Sequence, residues 1–148
     1  MRSLLAAAAL LAATACSGCS ASSGDAAPSA AASPTAQTYH ATDLRPGDCF
    51  DDLAADGFAT LVTCEKPHVY EFAGVWVLPD EPWPGDDKVI EASTKGCEEK
   101  VRIKKELRDT VTWTAFAPVE ATWPRHRTAY CVALSVEEGV KLSGHVLA

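Results

Sequence analysis

An excess of positive charge, a membrane-length apolar run, an internal repeat and a catalytic signature are all missing from this sequence, and each absence closes off a class of function. Lysine and arginine total 13 against 20 aspartates and glutamates, for a net charge of −7. The chain therefore lacks the basic surface by which proteins hold nucleic acid. Its longest apolar stretch, residues 4–15, is interrupted only by Thr14, and at ~12 residues it falls short of the roughly 20 that a bilayer-spanning helix needs. Gly-x-Ser-x-Gly, Ser-x-x-Lys and His-Glu-x-x-His do not occur, so hydrolase mechanisms lack their usual nucleophile or metal. Residues 20–38 contain no aromatic and no long aliphatic side chain, and nothing there offsets the entropy of ordering them.

What is present divides the chain into three. Arg2 followed by the apolar run reads as a signal peptide over residues 1–15. Ala13-Thr14-Ala15-Cys16 and then Ser17-Gly18-Cys19 place small residues ahead of a cysteine, the pattern of a lipoprotein cleavage site, although the usual leucine three places before the cysteine is absent from both. Cys16, where the apolar run ends, is the expected lipidated residue, with Cys19 the alternative. Its thiol would carry a diacylglycerol and become the mature N-terminus, and two or more acyl chains hold a protein on a membrane durably. Residues 16–39 then form the lipidated end and an Ala/Ser/Pro/Thr-rich spacer with a typical reach of about 25 Å. Residues 40–148 are the folded domain, with 47% hydrophobic and 22% charged residues in the whole chain, ordinary values for a globular protein.

Four cysteines fall in that domain, Cys49, Cys64, Cys97 and Cys131. An even number in an exported domain implies disulfides. Of the three pairings, Cys49 with Cys64 and Cys97 with Cys131 is favoured, since each joins neighbouring elements and the two do not interleave. A four-thiolate metal site is opposed by the lack of any Cys-x-x-Cys within the domain.

Alternation marks residues 59–64 as a short strand and residues 69–78 as the strongest one, with Tyr70, Phe72, Trp76 and Leu78 on one face and Val69, Ala73, Val75 and Val77 on the other. Apolar on both faces, it belongs in the centre of a sheet. The Pro-rich segment 79–85 ends it, and Asp86 or Asp87 caps a helix expected to run to about Leu107, with Ile90, Thr94, Cys97 and Val101 facing inward and Gly96 as its weak point. Residues 110–117 and 127–135 read as further strands and residues 142–147 as a last short one. The sum is a small α+β domain, an antiparallel sheet with one main helix packed across it and stapled by two disulfides.

Taken together, Leu44-Arg45-x-Gly47-Asp48-Cys49-Phe50, Cys64-x-x-Pro67-His68-x-x-Glu71, the Pro84-Gly85 loop, Cys97, and then Pro118, Trp123, Arg127 and Cys131 resemble the septum formation family of actinobacterial envelope proteins. Leu142-Ser143-Gly144 is similar to that family's closing Leu-Thr-Gly segment. The resemblance implies an extracytoplasmic or membrane-attached domain linked by name to cell division, and it supplies no catalytic residues. One departure is local: the family's Gly-Asp ahead of the arginine is here Arg125-His126.

Within the domain, His68 and Glu71 set an imidazole and a carboxylate close together in sequence, the ingredients of an acid–base pair or of two metal ligands. The plainer reading is a Pro-His structural hydrogen bond to backbone. Arg125 and Arg127 flank His126 in a basic corner able to receive a phosphate or carboxylate. Trp83 and Trp123 lie in loops, where an indole stacks on a sugar, anchors a partner, or packs against prolines. Five basic residues in residues 100–108 read as the wet face of a helix. The expected function is that of a non-enzymatic binding or accessory module, lipid-anchored at the outer face of the cell membrane, with an envelope protein or cell-wall component as partner and no cofactor or metal. The alternative is a metal-dependent or acid–base enzyme acting on envelope material through His68 and Glu71.

Overall fold

A computed structural model describes residues 37–54 and 57–148. The expected leader, the anchor at Cys16 or Cys19 and most of the spacer lie outside the described residues. Six strands, β1 (Thr38–His40), β2 (Cys49–Leu53), β3 (Phe58–Val62), β4 (Tyr70–Val77), β5 (Val111–Phe116) and β6 (Thr128–Ser135), and one helix, α1 (Asp86–Glu98), make an α+β fold. All pairings are antiparallel, in the order β1-β3-β2-β4-β6-β5. The sheet begins at Thr38, two residues ahead of His40. Strand β4 sits in the interior of the sheet between β2 and β6, as its two apolar faces require.

The sheet buries a different cluster on each face. On one, α1 closes over Leu78, Val89, Cys97, Val111, Cys131 and Ala133; on the other, Ala41, Leu44, Phe50, Ala59, Phe72 and Val132 pack together. Strand β6 feeds both by strict alternation, with Cys131 and Ala133 on the helix side and Val132 opposite. Strand β4 feeds both by a different device. Phe72 pairs with Val132 but Gly74 with Cys131, so one extra residue is inserted at Ala73, and Gly74 takes the φ of 145° that follows. The single apolar face expected for Tyr70, Phe72, Trp76 and Leu78 is therefore broken at the bulge: Tyr70 and Phe72 join the second cluster, while Trp76 and Leu78 join the first.

The helix is shorter than its pattern suggests and turned by about one residue. It begins after Gly85 rather than at an aspartate cap and stops at Glu98 instead of Leu107, leaving only a 3-10 turn at Lys105–Leu107. Tertiary pairing outcompetes helix propensity beyond Glu98, because Ile103 bridges to Leu147 and the Lys104 amide donates to the Val146 carbonyl at 2.9 Å. Its buried residues are Val89, Ser93, Gly96 and Cys97, whereas Ile90 and Thr94 face water. Two contacts set this rotation. Cys97 is bonded to Cys131 beneath it, and Trp76 of β4 presses on Gly96, where an added Cβ would lie 2.1 Å from the indole Cγ. The glycine that weakens the helix in isolation is the one residue that lets it lie on the sheet.

Both disulfides pair as their positions imply, Cys49 with Cys64 and Cys97 with Cys131, each with a Cα separation of 5.3 Å. Gly96→Ala should cost stability although alanine gains about 1 kcal/mol of helix propensity; overpacking against a half-buried ring packed on the cluster sets the expected net loss at about 2 kcal/mol. The midpoint of urea unfolding reads it, and an unchanged or higher midpoint would refute the Trp76 contact.

Candidate functional site

The residues at the end of β3 and the start of β4 build a clasp for the C-terminal segment. After Cys64 the chain turns, the Lys66 amide donating to the Thr63 carbonyl, and Pro67 delivers it extended into β4. The His68 amide then donates to the Leu142 carbonyl at 3.0 Å, and the Leu142 amide donates back at 2.7 Å. The His68 ring is wholly buried; its Nδ1–H donates to the Lys66 carbonyl at 2.8 Å, and Nε2 has no partner among the described residues. The Gly144 amide donates to the Cys64 carbonyl, 2.6 Å away, and the Ser143 hydroxyl to the Glu65 carbonyl.

Glu71 completes the clasp from inside the protein. Its carboxylate, 1% exposed, accepts from the Val146 and Leu147 amides through Oε2 and from His145 Nδ1 at 3.0 Å through Oε1. Three donors are what a withdrawn carboxylate requires. A bend at Val69 separates the His68 bridge from the start of β4, and the two side chains find different partners. The acid–base pair expected of His68 and Glu71 therefore does not form: His68 bonds to backbone, and the imidazole beside Glu71 is that of His145. No local spacing in the sequence joins residue 71 to residue 145; only the path of the terminal segment does. Around this pair opens a cleft of about 390 Å³ lined by Gly47, Glu71, Lys100, Arg102, His145 and Ala148. The basic stretch around Lys100 and Arg102 is solvated as expected, but as a loop beside this cleft rather than as a helix face.

A second locus lies at the far end of β4. Trp83, from the Pro-rich loop, and Trp123, ahead of a cis peptide bond to Pro124, meet edge to face with ring centroids 5.3 Å apart. The Trp123 indole N–H donates to the Glu81 carbonyl at 2.7 Å. Both rings are half-buried against the helix-side cluster, and their remaining surface joins Asp80, Glu81, Pro82 and Pro124 around an open cleft of about 580 Å³. Local packing and an available aromatic surface thus coexist at this corner. Arg127 is tied to the end of β4, its Nη1 donating to the Leu78 carbonyl at 3.2 Å and lying 3.6 Å from Asp80. Arg125 and His126 face water.

A third cavity, of about 320 Å³, is mainly apolar and lies among Leu53, Phe116, Val119, His126 and Tyr130. Burial there pushes the Tyr130 phenol above its ordinary range.

Glu71→Ala removes the one oxygen that accepts from both amides and leaves them without a partner inside the protein. The Val146 and Leu147 amides should then exchange with solvent at least tenfold faster, and the fold should lose about 2 to 4 kcal/mol. Site-resolved hydrogen exchange measures the first; protection of both amides in the variant would show that the carboxylate does not hold the segment.

No curated protein and no solved structure matches the chain. The family model described as septum formation matches residues 13–131, most of the chain, from the end of the apolar run to the second cysteine of the helix-anchoring disulfide. This chain belongs to the septum formation family.

Proposed function

We propose that this protein is an exported, lipid-anchored accessory module of the cell envelope that serves division by binding a partner rather than by turning over a substrate. Its family supports a role connected with septum formation. The leader and Cys16 support export and anchoring, and two disulfides suit an oxidising compartment. No helix of the described residues is long and apolar enough to cross a membrane.

The observation that carries the binding reading is the Trp83–Trp123 corner. Two indoles fixed edge to face, one oriented by a backbone hydrogen bond, keep part of their surface open beside exposed Asp80, Glu81 and Pro82. Pre-ordered aromatic surface of this kind contributes most to contacts with proteins and sugars, because little side-chain entropy remains to be lost on binding. By contrast, the motif residues His68 and Glu71 are buried and engaged with the terminal segment.

Two measurements test the proposal. A photo-crosslinking amino acid placed in living cells at Pro82 should yield a discrete covalent adduct with an envelope component, while the same group at exposed Glu138 should not; equal yields from both, or none from Pro82, refute binding at this corner. Mass spectrometry of the mature N-terminus should find diacylglycerol on Cys16, and an unmodified terminus beyond Cys19 would refute the anchor.

A further inference from the structure

The exposed side of the terminal clasp holds a second arrangement, distinct from the tryptophan corner. The Sγ atoms of Cys49 and Cys64 and a ring nitrogen of His145 all lie within 4.8 Å of one another, the one such grouping of three metal-ligating side chains among the described residues. Both sulfurs are spent in the disulfide, and His145, with a side chain 54% exposed, stands beside them at the cleft. We propose that this disulfide is a gate: when a dithiol opens it, Cys49, Cys64 and His145 bind a divalent transition-metal ion of the zinc class.

Three features favour this reading. The first is donor chemistry. Two thiolates and one imidazole are a ligand set that zinc-class ions prefer, and a fourth position left to water or a ligand is the pattern of open zinc sites. Here the cleft of about 390 Å³ adjoins that position.

The second is an existing outer shell. Metal-bound imidazoles almost always donate their other ring N–H to a carboxylate or carbonyl, and His145 Nδ1 is already 3.0 Å from the buried Glu71 carboxylate. That hydrogen bond orients the ring and leaves its lone pair on Nε2.

The third is a scaffold that holds the ligands without the disulfide. Cys49 stands opposite Val62 in the β2–β3 ladder, and opposite Glu71 in the β2–β4 ladder. The Cys64 carbonyl accepts from the Gly144 amide next to His145, and the Val146 amide is held by Glu71. On opening, the sulfurs need only part to about 3.8 Å, the edge of a tetrahedron with bonds of about 2.3 Å.

The chemistry balances in two steps. Thiol–disulfide exchange transfers two electrons and two protons from the dithiol, which becomes a disulfide, to the Cys49–Cys64 bond, which becomes two thiols. The metal ion then displaces one proton from each thiol as the two metal–sulfur bonds form. The Cys97–Cys131 disulfide, 0% exposed under α1, has no such neighbour, whereas Cys64 keeps 7% of its surface open and Cys49 1%.

Cobalt(II) titrated into the full chain provides the test. After reduction with a phosphine, the protein should bind one equivalent with a thiolate-to-cobalt charge-transfer band, and the oxidised protein should show none. Cys49→Ser should abolish the band, His145→Ala should weaken binding more than tenfold, and Glu71→Gln, altering only the positioning residue, about 10- to 100-fold. Cys16 and Cys19 are replaced by serine in every chain titrated, so a band that survives Cys49→Ser arises from another donor set and overturns the proposal. Absence of binding to the reduced chain overturns it too, as does loss of the folded circular dichroism on reduction, since the site requires its scaffold.

Discussion

A carboxylate taken out of water must be met by donors, and Glu71 finds all of its donors in the last four residues of the chain. It lies on β4, the interior strand that joins the two halves of the sheet, so the demand of one side chain fastens the terminus to the middle of the fold. The consequences spread outward. Val146 is buried in the helix-side cluster, Leu147 bridges to Ile103, and the Lys104 and Ala148 amides close the loop after α1. The early end of α1, the cleft beside His145 and the approach of His145 to the first disulfide all depend on the terminal segment being held there.

The other half of the molecule rests on close approach. Alanine at position 96 would be better for the helix and impossible for the sheet, because the indole of Trp76 occupies the space. Cys97, one residue on, then reaches Cys131 directly. Removing a Cβ and adding a covalent bond at adjacent positions lets a helix of modest amphipathicity pack firmly on β4, β5 and β6. The same packing backs the Trp83–Trp123 corner, whose rings lean on the helix-side cluster while keeping one side toward water.

Much of this architecture was legible in residue order. The alternation of β4, β5 and β6, the Pro-rich break before the helix and the non-interleaved cysteines led to the α+β fold and to the observed disulfides. Expectation and structure part where a hidden irregularity interrupts the periodicity. One inserted residue at Ala73 exchanged the faces of β4, and a rotation by one residue moved Ile90 out to water and Ser93 in. The helix stops short of the expected Leu107 because the backbone of residues 102–104, despite adequate propensity, pairs with the C-terminal segment instead. At the candidate site, His68 and Glu71 stood out as a local motif, yet their partners come from Leu142 and residues 145–147.

Composition and local pattern alone determined the acidic charge, the strand-rich fold with one helix and the pairing of cysteines near in sequence, because each follows from short-range chemistry. Tertiary structure decided which imidazole meets Glu71, which face of the helix is buried, and that His145 comes to stand beside the Cys49–Cys64 bond. Those outcomes depend on contacts between residues distant in sequence, 34 positions apart for Cys97–Cys131 and 74 for Glu71–His145, selected by the need to satisfy buried polar groups and to fill a core, and no local sequence signal carries them.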